Sequence, residues 1–141
     1  LADSFPLVWG GTTLAGRASR RIAETLRRAS GRLALAADAE ELEAVLLGTP
    51  RRDVFTDPFE QDAEIGPALL LLDVDQVPEP MTETAQRLAH LADGVGVRVC
   101  HISSGMAELG ASDVERYVTL LLQGRYAATY LGIGLGGAQS G

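Results

Sequence analysis

At 141 residues the chain is long enough for one domain with a real core. Its net charge of −7 excludes a general nucleic-acid surface, and no apolar run is long enough to cross a membrane. The single cysteine, Cys100, excludes an internal disulfide and points to the cytoplasm, and the absence of lysine excludes Schiff-base chemistry and lysine-assisted proton transfer.

The segment from Phe5 to Gly16 reads as a buried strand, a glycine turn, and a helix that opens with two hydroxyl residues. Gly10 and Gly11 let the backbone approach a ligand closely. Thr12 and Thr13 begin a helix whose free N–H groups and dipole suit an anion, most often phosphate. The pattern is not the dinucleotide fingerprint, because the third glycine is misplaced, and it lacks the P-loop lysine. The plainer role of Thr12 and Thr13 is to cap the helix, and the two roles use one geometry.

Leu14, Ala15, Ala18, Ile22, Leu26 and Ala29 recur at helical spacing up to a stop at Ser30-Gly31. All twelve cations are arginine, and six of them lie between Arg17 and Arg32. Leu33–Ala37 is a strand candidate. Asp38 caps a second helix in a capping-box pattern with Glu41, and that helix stops at Gly48-Thr49-Pro50. Asp53–Phe55 is a possible short strand, and Thr56–Pro67 reads as an exposed loop. Ala68–Leu72 is continuously apolar, as in a strand covered on both faces. Thr82–Ala92 is predicted helical, and Val95–Ile102 is predicted as a strand followed by Ser103-Ser104-Gly105. Ser112 or Asp113 caps a helix through Leu122; Gly124 interrupts it, and Tyr126–Gly132 begins a last helix. Residues 1–135 make one domain and 136–141 a flexible tail. Alternating strands and helices predict an α/β fold, a three-layer, doubly wound, mostly parallel sheet.

The remaining candidates each have two readings. Arg17 can hold a sugar phosphate bidentately or belong to a solvated helix face. Ser103 and Ser104 follow a strand at the edge where open α/β sheets bind ligands, or bond their own loop backbone. His101 ends the same strand and is better placed for acid–base work than His90, which falls on a helix surface. Neither histidine has a second ligand at metal spacing, so no metal site is expected. Asp73 and Asp75 follow a strand as an acidic response-regulator-like pocket requires, without the lysine that completes one.

Two segments resemble the sugar isomerase (SIS) domain, more narrowly the C-terminal domain of the bifunctional phosphoglucose/phosphomannose isomerase family, in an actinobacterial version. One is Phe5-Pro-Leu-Val-Trp-Gly-Gly with the helix Arg17-Ala-Ser-Arg-Arg-Ile-Ala. The other runs from Gly110-Ala-Ser-Asp through Leu122-Gln-Gly-Arg-Tyr to Tyr130-Leu-Gly. The resemblance implies a flavodoxin-like topology and aldose–ketose isomerisation of a sugar phosphate through an enediol, with no redox cofactor or metal. It lays Glu41-Leu42 on the family's glutamate–leucine pair, making Glu41 the candidate base; the histidine position falls on Ala44, and the family lysine has no counterpart. Glu41 also has a plainer role as a capping glutamate in an acidic run. The resemblance further implies a second SIS domain or a homodimer partner, and that the chain, which begins at Leu1, is half of a longer protein. Two functions follow: a phosphosugar isomerase domain, or a phosphosugar-binding domain without catalysis.

Overall fold

The structure is a computed structural model that describes residues 1, 3–50, 65–73, 77–105 and 110–139. Four strands form one open sheet, β1 (Ser4–Gly10), β2 (Leu35–Ala36), β3 (Gly66–Leu72) and β4 (Arg98–Ile102). All pairings are parallel and the order is β2-β1-β3-β4. The four helices are α1 (Thr13–Ser30), α2 (Ala39–Leu47), α3 (Met81–Gly94) and α4 (Asp113–Gln139).

Strand alternation sends neighbouring side chains to opposite faces. Val8, Leu70 and Leu72 pack with Ile22 and Leu26 of α1 and Leu120 of α4. Leu7, Trp9, Leu69 and Leu71 pack with Leu42 and Leu46 of α2 and Leu88 of α3. Both faces of the sheet are therefore covered, which is why β1 and β3 read as continuous apolar runs. The fold is α/β, and helices on both faces are compatible with three layers.

Caps match the sequence reading. Thr12 Oγ1 accepts the Ala15 amide at 3.1 Å, Gly31 ends α1 with φ +66°, and Asp38 Oδ1 accepts the Glu41 amide at 3.0 Å.

Three expectations change. The expected break at Gly124 is absent, and α4 is one 27-residue helix through Gln139. Gly124 is buried against α1, where an added Cβ would lie 2.5 Å from Ile22 Cγ1, so the glycine serves close helix packing. Gly66 and Pro67 belong to β3, paired with Ser4 and Phe5, because a proline is tolerated near a strand start. β4 begins at Arg98, since Val95 caps α3 and Gly96 turns the chain with φ +75°. Asp53–Phe55 and the loop up to residue 64 lie outside the described residues. Among the described residues, no helix is long and apolar enough to cross a membrane.

Candidate functional site

The chain leaves β1 for β2 on one side and then crosses to β3 on the other, so the connection reverses between β1 and β3. Ligands of open parallel sheets bind at the carboxyl ends of the strands at such a reversal. Gly10 ends β1 there. An added Cβ would lie 2.4 Å from the Ala15 carbonyl carbon and oxygen, so only glycine permits this tight entry into α1. At Gly11 an added Cβ would lie 2.7 Å from the Trp9 ring. Thr12 satisfies the Ala15 amide, whereas the amides of Thr13 and Leu14 precede the first intrahelical acceptor. They stand at the positive end of an 18-residue helix.

Asp73 follows β3 directly and takes the left-handed conformation, with φ +48°. Its amide donates to the Ile102 carbonyl at 2.8 Å, and its Oδ1 accepts the Ser104 amide at 2.5 Å. Asp73 is buried, and the Ser104 hydroxyl beside it is buried with no hydrogen-bond partner among the described residues. These two bonds tie the ends of β3 and β4 together and hold the carboxylate at the sheet edge.

The first turn of α4 forms the facing wall. Glu115 accepts the Ser112 amide at 2.7 Å and the Ser112 hydroxyl at 2.8 Å, a capping box that starts the helix. Those two bonds, the amide first, hold the Glu115 carboxyl below the usual carboxylate range. Asp113 pairs with Arg116, whose side chain is 22% exposed. Thr12, Thr13, Leu14, Asp73, Arg116 and Tyr117 line a cleft of about 270 Å³. Tyr117 also borders a second, more open depression of about 400 Å³ along Arg17, Arg20 and Arg21.

The structure sorts the residues singled out by sequence. Thr12 and Thr13 line the cleft, and Gly10 and Gly11 form the turn that positions them. Ser104 supports Asp73 from behind. Arg17 faces the neighbouring depression. Ser103 is exposed, its hydroxyl accepting the Gly105 amide and its carbonyl the Gln123 side-chain amide. Glu41 is exposed on α2, on the opposite side of the sheet from α1 and α4. His101 is exposed and registers with Leu71, on the α2/α3 face, so it does not border the cleft.

Sequence reasoning did not assign Arg116, Asp113 or Tyr117 to the site, because they look like ordinary positions of an amphipathic helix. Asp73 had a visible signal, an acidic residue following a buried strand at the edge where open α/β sheets bind ligands. Asp75 lies outside the described residues. Comparison with family models, with curated proteins and with solved structures finds no match.

Proposed function

We propose that this chain is a phosphosugar-binding domain that holds its ligand in the cleft between α1, α4 and the ends of β1 and β3. The observation that carries the reading is that donors and an acceptor share one cleft. The Thr13 and Leu14 amides, the threonine hydroxyls and Arg116 stand with the buried Asp73 carboxylate. A phosphate takes the amides and the guanidinium, because both are donors oriented toward negative charge. Sugar hydroxyls donate to Asp73. Asp113 pairs with Arg116, so the two together bring no net charge to the cleft, and the helix-start amides are the main attraction for the phosphate. The parallel sheet with order β2-β1-β3-β4 supports a doubly wound, flavodoxin-like domain of the SIS kind. Under this reading the protein works in the cytoplasm.

Isomerase activity is the second reading, carried by the resemblance of the Phe5–Ala23 and Gly110–Gly132 segments. Glu41 and His101 lie outside the cleft. An isomerase built on it would take its acid and base from a second SIS domain or a homodimer partner.

Thermal unfolding of the full chain with glucose 6-phosphate, mannose 6-phosphate, inorganic phosphate and glucose tests the proposal. A ligand of the folded state raises Tm by mass action. The sugar phosphates are expected to raise Tm with dose, phosphate less, and glucose not at all. No shift with either sugar phosphate at about ten millimolar overturns the proposal. Equal shifts with phosphate and sugar phosphate overturn the role of Asp73 in holding the sugar. A coupled assay for fructose 6-phosphate on the same samples separates binding from turnover.

A further inference from the structure

The depression beside the cleft, about 400 Å³, is lined by Arg17, Arg20, Arg21, Glu24 and Tyr117. Thr13 and Arg17 are four residues apart on α1, and Arg20, Arg21 and Glu24 follow at three- and four-residue steps. Such neighbours share one face of a helix, so cleft and depression lie along a single stripe of α1. Tyr117 of α4 is half-buried and borders both. The charges of the stripe are unevenly balanced. Glu24 lies between Arg21 at 3.2 Å and Arg28 at 2.7 Å, so one carboxylate serves two arginines. Arg17 and Arg20 are exposed and form no ion pair among the described residues. Like charges three and four residues apart on a helix repel, and Arg17, Arg20 and Arg21 stand at those spacings. A bound anion relieves that repulsion and accepts charge-assisted bonds from the guanidinium groups.

We propose that the depression is a second anion subsite and that the ligand is a sugar bisphosphate, with one phosphate at the start of α1 and the other on Arg17 and Arg20. The inference rests on the phosphosugar reading of the cleft, which supplies the first phosphate site. Three observations favour it. First, the spacing fits. Each helical residue rises about 1.5 Å, so Arg17 and Arg20 stand roughly 6 and 10 Å from Thr13 along the axis of α1. A pentose or hexose with a phosphate at each end bridges that separation, whereas the adjoining phosphates of a diphosphate do not. The sugar then passes Tyr117, whose ring is an apolar wall common to both cavities. Second, the Asp113–Arg116 pair brings no net charge to the cleft, so the surplus positive charge of the lining side chains lies in the depression. Third, the chain as a whole carries a net charge of −7, which repels an extended polyanion such as a nucleic acid. A compact dianion meets only the arginine stripe.

Isothermal titration of the full chain with fructose 6-phosphate and fructose 1,6-bisphosphate tests it. The wild type is compared with Arg17→Gln/Arg20→Gln and with a control, Arg98→Gln/Arg125→Gln. All four arginines are exposed, so both variants are expected to keep the wild-type circular dichroism. Arg98 and Arg125 line neither cavity, and each double variant loses the same charge, so the control reads the long-range effect of charge alone. The wild type is expected to bind the bisphosphate at least about tenfold more tightly than the monophosphate, the gain from charge-assisted bonds to a second phosphate. Arg17→Gln/Arg20→Gln should bind the two ligands alike, with its fructose 6-phosphate affinity unchanged, and the control should keep the preference. A wild type that binds the monophosphate and prefers the bisphosphate no further overturns this proposal and leaves the cleft reading intact. Binding of neither ligand overturns both. A preference that survives Arg17→Gln/Arg20→Gln, or falls equally in the control, overturns the subsite. An equal loss of both ligands in Arg17→Gln/Arg20→Gln overturns it too, because the two arginines then serve the first phosphate.

Discussion

The Asp73 carboxylate accepts the backbone amide of Ser104 at 2.5 Å, so the residue after β3 and the segment after β4 are held as one unit. Asp73 sits in a left-handed conformation that few side chains adopt, and its burial leaves Oδ1 as the acceptor for a buried amide. The same residue lines the cleft between α1 and α4, so its conformation and its chemistry are coupled.

Asp73→Ala should destabilise the fold by about 1–3 kcal/mol, because the Ser104 amide loses its acceptor and stays buried. Asp73→Asn keeps an acceptor and a side chain that tolerates positive φ, and should lose less. Urea unfolding of the two variants checks the order; equal losses would remove the hydrogen bond as the cause.

The contact between α1 and α4 makes a second test. Gly124→Ala forces a Cβ to within 2.5 Å of Ile22 Cγ1 and should cost about 1–3 kcal/mol through overpacking. Ile22→Ala removes that atom, so the double variant should be more stable than the two single losses predict. A thermodynamic cycle measured by urea unfolding reads the coupling, and strict additivity would mean that the helices separate.

Arg116→Gln should weaken glucose 6-phosphate binding by roughly tenfold or more, the loss of a charge-assisted bond of about 1.5–3 kcal/mol. Glu41→Gln and His101→Gln lie outside the cleft and should leave the affinity unchanged. Isothermal titration on the three variants checks this. Loss of affinity in Glu41→Gln with Arg116→Gln unaffected would move the site to the other side of the sheet.

Glu115 predicts a pH dependence. Its folded-state pKa is lowered by the Ser112 bonds, so its stabilising contribution is present above the unfolded pKa and lost as pH falls through the folded one. The wild type should therefore exceed Glu115→Gln in stability at neutral pH, and the gap should close in acid. A gap that is constant from neutral to strongly acidic pH would show that the carboxylate charge plays no part in the cap.

The sequence by itself determined the alternation of elements, the glycine turn after β1, and the caps at Thr12, Gly31 and Asp38. These are local properties, set by side-chain spacing and by which residues accept an amide or tolerate positive φ. It also marked Thr12 and Thr13, which line the cleft, because a helix start announces itself. Tertiary structure alone decided the rest. Gly124 reads as a helix breaker until Ile22 is seen against it, and two predicted helices become one. Glu41 and His101 carry suitable chemistry, yet strand alternation and sheet sidedness put them away from the cleft. Asp73 and Arg116 are 43 residues apart in a sequence that gives no sign of their meeting. Sheet order and the crossing of α4 over α1 bring them to one edge, because each buries its own apolar face against the same core.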